Sequence, residues 1–160
     1  MHRDTCSETP EKPYAIAAGY HKATGNLLTI TWDFSHIAVV KHINPPHWER
    51  LLVDAQFIQR AHQFHFRPLN GHHCQVSVTD GEGKLFPELI RWLPFLEKTL
   101  AMWFAGNQSG RKIFAVPELG PLNSSAVGNC FSAFSPSWKD AKVLRGIIDR
   151  IWRKVLANHR

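Results

Sequence analysis

The chain has 160 residues, of which 44% are hydrophobic and 20% are charged, and its formal net charge is +6. This length and composition are those of one globular domain with a hydrophobic core, and they exclude a disordered or fibrous chain. No apolar run reaches the roughly 18 residues of a membrane span, and the N-terminus lacks the apolar stretch of a signal peptide. Three widely spaced cysteines without a CxxC pair argue against a disulfide scaffold or a zinc knuckle. We therefore expect a cytoplasmic protein without a membrane partner.

The predicted secondary structure alternates between helices and strands. In chain order we expect a helix at 9–24, a strand at 27–32, a helix at 47–60, a strand at 62–67, a helix at 87–104, a strand at 112–116 and a helix at 138–157. Pro94 is expected to kink or end the third helix, and Ser137 to cap the last one. Polar loops cover 69–86 and 122–136. This order predicts βαβ units, and hence a parallel sheet in an α/β fold.

Three ionisable residues lie near the ends of the predicted strands. Asp33 ends the first strand, His65 lies in the second, and Glu118 follows the third. Because ligands of α/β proteins gather at the carboxyl ends of the strands, we expect these three side chains to meet at one edge of the sheet. Two carboxylates and an imidazole are suitable ligands for Mn²⁺, Mg²⁺, Co²⁺ or Zn²⁺. Each residue also has a structural interpretation, with Asp33 as a helix cap and His65 as a core histidine.

The alternation of side chains along the first two strands supports a site there. Thr31 and Asp33 share one face of the first strand. Gln63, His65 and Arg67 share one face of the second, and the opposite faces of both strands are apolar. A polar face on a buried parallel sheet is costly unless it lines a site.

Histidine is frequent in this chain, with ten residues. Two of them, His72 and His73, lie in the polar loop that follows the second strand. There they either contact a substrate or a second metal at the same edge, or belong to a polar surface loop. The basic residues are mostly scattered, and the dense stretch at 139–160 is typical of the solvated face of an amphipathic helix. Nucleic acid is therefore not the expected partner.

Three motifs resemble those of a known enzyme family. Asp33-Phe-Ser-His36, Gln63-Phe-His65-Phe-Arg67 and Val116-Pro-Glu118-Leu-Gly-Pro121 are similar to consecutive strand-end motifs of the xylose-isomerase-like sugar phosphate isomerases and epimerases. The resemblance covers residues 1–121, and the final helix is in the expected place. It implies a partial (β/α)₈ TIM barrel of about three parallel strands and four helices. Residues 1–160 would be a single domain, the C-terminal portion of that barrel.

The resemblance also implies roles for individual residues. Asp33, His65 and Glu118 would be metal ligands, and Glu118 would also be the catalytic base. His36 and Arg67 would contact a small sugar or sugar phosphate. The family commonly reads Glu-x-His-Arg at its first ligand, which would place His2 at the substrate and the missing glutamate upstream of Met1. We therefore expect a truncated barrel that is inactive alone, or one that is completed by a second copy or by another chain.

Two other functions remain open from the sequence. One is a metal-dependent DNA-repair protein that resembles the apurinic-site endonucleases, which share the barrel and its metal cluster. The other is a non-catalytic oligomeric or interaction module, because an incomplete barrel exposes sheet edges and apolar faces. Salt-sensitive DNA binding would favour the first, and failure to bind any metal would favour the second.

Overall fold

The computed structural model describes residues 7–9, 11–44, 47–106, 110–120 and 137–159. Within these ranges the elements in chain order are α1 (Glu11–Thr24), β1 (Ile30–Asp33), α2 (Phe34–Val40), a 3₁₀ helix (His47–Leu51), α3 (Ala55–Gln59), β2 (Ala61–Phe66), α4 (Pro87–Ala105), β3 (Phe114–Pro117) and α5 (Ser137–Asn158). None of the described helices combines the length and the apolar character that crossing a membrane requires. The predicted loop at 122–136 lies outside the described residues.

The three strands form one parallel sheet in the order β1-β2-β3. Asp33 pairs with His65, and His65 pairs with Val116 on its other side. This register places the ends of β1 and β2 level with each other, and Glu118 follows two residues beyond Val116. The predicted α/β class and the parallel sheet are confirmed.

The hydrophobic core lies on one face of this sheet. Trp32, Phe64 and Phe66 are each at most 1% exposed and pack in a single cluster with α4 and α5. Burying a side chain of this size contributes roughly 1.5–3 kcal/mol, so the aromatic row fixes which face points inward. The opposite face is more open, because Thr31 is exposed and Phe114, which pairs with Gln63, is 66% exposed.

The helices between β1 and β2 differ from the prediction. The single helix expected at 47–60 is wrong, since the chain forms a 3₁₀ helix and then the short α3. Asp54 causes the break, because its side chain accepts a hydrogen bond from the backbone N–H of Gln56 and caps α3. The helix α2 was not predicted, so the described residues contain five α-helices and not four.

The long helices α4 and α5 support the sheet. Pro94 lies inside α4, and a helix boundary there was the wrong expectation, since α4 runs on to Ala105. Trp103 of α4 donates from its indole to the carbonyl of Ala61 at 2.9 Å, which ties the helix to the start of β2. Ser137 begins α5 itself, and its hydroxyl donates to the carbonyl of Gly120.

Asp140 connects α5 to the long loop after β2. Its carboxylate is 4% exposed and accepts hydrogen bonds from the backbone N–H of Val78 at 3.0 Å and from the hydroxyl of Thr79 at 2.8 Å. The loop is further closed by the backbone hydrogen bond from Phe86 to Val78. These bonds satisfy buried polar groups that would otherwise oppose folding.

Candidate metal site

Asp33, His65 and Glu118 converge at the carboxyl ends of the strands. Each offers one ligand atom, and these atoms all lie within 4.8 Å of one another. The parallel register explains the convergence, because it sets the ends of β1 and β2 side by side and brings the residues after β3 beside them. Asp33 is 2% exposed, whereas the side chains of His65 and Glu118 are 29% and 30% exposed. The cluster therefore has a buried floor and a side that solvent reaches.

The two carboxylate oxygens of Asp33 have different surroundings. Oδ1 accepts hydrogen bonds from the backbone N–H of Ser35 at 2.9 Å and from its hydroxyl at 2.6 Å, and so caps α2. Oδ2 is buried and has no hydrogen-bond partner within the described ranges, although Nε2 of His36 lies 3.4 Å away. Asp33 is therefore a helix cap through one oxygen, while the other oxygen remains available to the cluster.

His65 lies between Glu118 and Gln63. Its Nδ1 is 2.5 Å from Oε2 of Glu118, and its Nε2 is 2.5 Å from the side-chain nitrogen of Gln63. The Gln63 amide can present either its oxygen or its nitrogen to the ring, and this choice sets which ring nitrogen carries the proton. Burial lowers the pKa of His65; Asp33 opposes this effect and Arg67 adds to it. The lowered pKa favours the neutral ring, which is the form that binds metals.

Arg67 joins the two carboxylates. Its Nη2 contacts Oε1 of Glu118 and lies 3.9 Å from Oδ2 of Asp33. The same side chain donates from Nε to the backbone carbonyl of Glu118 at 3.1 Å, and its Nη1 lies 3.8 Å from the sulfur of the buried Cys74. Arg67 is 8% exposed. The guanidinium is thus held on several sides at the floor of the cluster.

The donor set fits a divalent cation. In the part of the chain that the structure describes, Oδ2 of Asp33 is buried and accepts no hydrogen bond, and the buried Oε2 of Glu118 has Nδ1 of His65 as its neighbour at 2.5 Å. Such atoms are costly unless a cation or a donor satisfies them. Both belong to the cluster that contains His65. Two carboxylates with one neutral imidazole match the ligand preferences of Mn²⁺, Mg²⁺, Co²⁺ and Zn²⁺.

The other predicted site residues are distributed around this cluster or away from it. His36 and Arg67 lie beside Asp33, with Nε2 of His36 3.4 Å and Nη2 of Arg67 3.9 Å from Oδ2 of Asp33. His72 is exposed, with its ring centroid 5.7 Å from that of His42, and His73 is held by Asn70. Neither belongs to the cluster of ligand atoms. His2 lies outside the described residues.

Three further residues contact the site without having been given a role of their own in the sequence analysis. Ser35 fixes one oxygen of Asp33, Gln63 contacts His65, and Cys74 lies beside Arg67. The first two carry a signal in the sequence. Serine two residues after a capping aspartate is placed to donate back to it, and Gln63 shares the strand face of His65. Cys74 comes from the loop, and its position depends on the tertiary structure.

Comparison with protein-family models, with curated proteins and with solved structures finds no match to this chain. The resemblance to the xylose-isomerase-like family therefore stays a prediction from the three motifs.

Proposed function

We propose that this chain binds a divalent metal ion through Asp33, His65 and Glu118, and that the site isomerises or epimerises a small sugar or sugar phosphate. Two buried carboxylate oxygens carry the proposal: Oδ2 of Asp33, which accepts no hydrogen bond in the described residues, and Oε2 of Glu118, whose neighbour is Nδ1 of His65 at 2.5 Å. Both belong to a cluster whose ligand atoms lie within 4.8 Å of one another. A cation would satisfy both oxygens at once.

The open side of the cluster would let a substrate reach both the metal ion and Glu118. Three protein ligands leave coordination positions for water or substrate, and a bound cation would polarise a sugar carbonyl as a Lewis acid. Glu118, with its side chain 30% exposed, is the carboxylate that a substrate reaches. We assign it the removal of a proton from the carbon next to the carbonyl and the return of a proton to the former carbonyl carbon, which completes the isomerisation.

Substrate oxygens would meet Arg67 and His36 beside the two carboxylates. The planar guanidinium of Arg67 offers a fork of donors that suits hydroxyl, carboxylate and phosphate oxygens. Its position is fixed by the bond to the Glu118 carbonyl at 3.1 Å. Nε2 of His36 lies 3.4 Å from Oδ2 of Asp33, on the same side of the site.

Calorimetric titration with Mn²⁺ tests the metal site. We expect micromolar binding by the chain, weakened at least about tenfold in Glu118→Gln, because that change removes one charged ligand. The matched control is Glu82→Gln, which makes the same chemical change at an exposed residue and should bind like the original chain. An absence of heat from the original chain and both variants would refute the metal site.

The isomerase or epimerase reaction is tested in a second experiment, on the original chain with Mn²⁺ added. Where a second copy completes the site, interconversion of an aldose and its ketose, or epimerisation in deuterated water with incorporation of deuterium, is the expected result, and Glu118→Gln should abolish it. Nicking of a duplex with an abasic site would instead support the endonuclease function. A folded chain that binds no metal would support the interaction module.

A further inference from the structure

We infer that Arg67 is an internal counter-cation of this site, which holds the two carboxylates together in the metal-free protein and competes with a divalent metal for them. The inference rests on the proposed metal site and assigns to it a built-in control of affinity. It concerns the charge of Arg67 and is separate from any contact of Arg67 with substrate.

The contacts of Arg67 show that its charge serves both acids. One terminal nitrogen, Nη2, contacts Oε1 of Glu118 and lies 3.9 Å from Oδ2 of Asp33. The latter oxygen is also buried and accepts no hydrogen bond in the described residues. A cation that binds Asp33 and Glu118 must therefore share both carboxylates with the guanidinium.

The charge balance of the cluster depends on this one residue. Asp33 and Glu118 contribute two negative charges, Arg67 contributes one positive charge, and the neutral form of His65 contributes none. Removal of the Arg67 charge doubles the net negative charge that a cation meets. Arg67 is 8% exposed and Asp33 is 2% exposed, so water and salt screen this interaction far less than they screen a surface pair.

Arg67 also has an opposing, structural effect on metal affinity. Its bonds to the carboxylate and the backbone carbonyl of Glu118 restrict that side chain, and preorganised ligands bind a metal more tightly. Independently of Arg67, the contact with His65 restrains Glu118 and the hydrogen bonds from Ser35 restrain Asp33. Loss of the positive charge therefore outweighs loss of this restraint.

Two substitutions separate charge from geometry. Arg67→Met removes the charge and keeps an unbranched side chain, while Arg67→Lys keeps the charge and loses the fork. We expect the association constant for Mn²⁺ to rise roughly tenfold in Arg67→Met, equal to about 1.4 kcal/mol, and to stay near the original value in Arg67→Lys. Arg111→Met is the control for net charge, because Arg111 is exposed and precedes β3 at the other edge of the sheet.

Thermal unfolding gives a second readout without turnover. Without metal, Arg67→Met should unfold at a lower temperature, because the buried Asp33 and the half-buried Glu118 lose their counter-cation. Saturating Mn²⁺ should raise its unfolding temperature by more than it raises that of the original chain.

The outcomes distinguish the two proposals. If the original chain binds Mn²⁺ and Arg67→Met binds it equally or more weakly, the counter-cation is refuted and the metal site stands. If neither the original chain nor Arg67→Met binds Mn²⁺, both proposals are overturned. If Arg67→Lys gains as much affinity as Arg67→Met, the effect belongs to the shape of the side chain, and the counter-cation is again refuted.

Discussion

Nδ1 of His65 lies 2.5 Å from Oε2 of Glu118, although one residue belongs to β2 and the other follows β3. The pairing of His65 with Val116 brings the two together, because it sets the end of β3 beside the end of β2. The geometry of the candidate site is therefore determined by strand register, and substitutions that leave the sheet intact can test each ligand separately.

The substitution Asp33→Asn should distinguish the role of Asp33 as a metal ligand from its role as the cap of α2. Asn is as good a helix cap as Asp, so Asp33→Asn should keep the bond to Ser35 and remain within about 1 kcal/mol of the original free energy of unfolding. It should nevertheless weaken Mn²⁺ binding at least about tenfold, because a charged ligand is lost. Mn²⁺ titration and urea unfolding measure the two effects.

Asp33→Ala provides the comparison, because it removes both the ligand and the cap. Its free energy of unfolding should fall by about 1 kcal/mol relative to Asp33→Asn, with equally weak metal binding. Equal stability of the two variants would show that the cap contributes nothing, and full Mn²⁺ affinity in Asp33→Asn would remove Asp33 from the ligand set.

Gln63→Leu should weaken Mn²⁺ binding by roughly tenfold while it leaves the fold intact. The side chain of Gln63 contacts Nε2 of His65 at 2.5 Å, and loss of a residue that orients a ligating histidine typically costs 10–100-fold in metal affinity. Calorimetry measures the affinity, and far-UV circular dichroism checks the fold. Unchanged affinity would mean that Gln63 does not orient the ring.

Asp140→Ala should destabilise the fold by roughly 3 kcal/mol, because it leaves the backbone N–H of Val78 and the hydroxyl of Thr79 buried without their acceptor. Asp140→Asn keeps an acceptor oxygen and should lose less. Urea unfolding measures both, with Asp149→Ala on the exposed face of α5 as the control. Equal, small losses for Asp140→Ala and Asp149→Ala would contradict the role of Asp140.

Tyr14 should make the fold less stable in alkali. Burial raises the pKa of Tyr14 to about 12, from an ordinary value of 10.0. Below pH 10 the phenol is protonated in both states and has no effect on pH dependence. Between these values the unfolded chain loses the proton and the folded chain keeps it, so the free energy of unfolding falls as pH rises.

Urea unfolding at about pH 9 and about pH 11 measures this contribution of Tyr14. The decrease in stability between the two pH values should be smaller in Tyr14→Phe than in the original chain. Tyr20→Phe is the matched control, because Tyr20 lies on the same helix with 41% of its surface exposed, and it should keep the full decrease. The same decrease in Tyr14→Phe would assign it to other groups.

The periodicity of the sequence predicted the regular elements well. The strands expected at 27–32, 62–67 and 112–116 correspond to β1, β2 and β3 within three residues at each end. The helix α2 could not be predicted in the same way, because Ile37, Val39 and Val40 are β-branched and lower helix propensity. Its formation depends on the Asp33 cap and on burial of Phe34 and Ile37.

The sequence predicted the candidate ligands better than their environment. Strand ends and alternating faces identified Asp33, His65 and Glu118, which the structure brings together. The prediction assigned Arg67 to substrate oxygens, and in the structure its guanidinium contacts Glu118 and approaches Asp33. Such a contact depends on side-chain directions across three strands, which local sequence patterns do not specify.

The residues that stabilise the fold and the residues that would exchange a metal ion lie on opposite faces of the sheet. Trp32, Phe64 and Phe66 form the core on one face, whereas His65 and Glu118 lie on the other with about 30% of each side chain in contact with solvent. A bound ion would therefore enter and leave without opening the core. We expect a chelator to remove it within the mixing time of the solution and to leave a folded chain, so that metal occupancy would follow the free ion concentration around the protein.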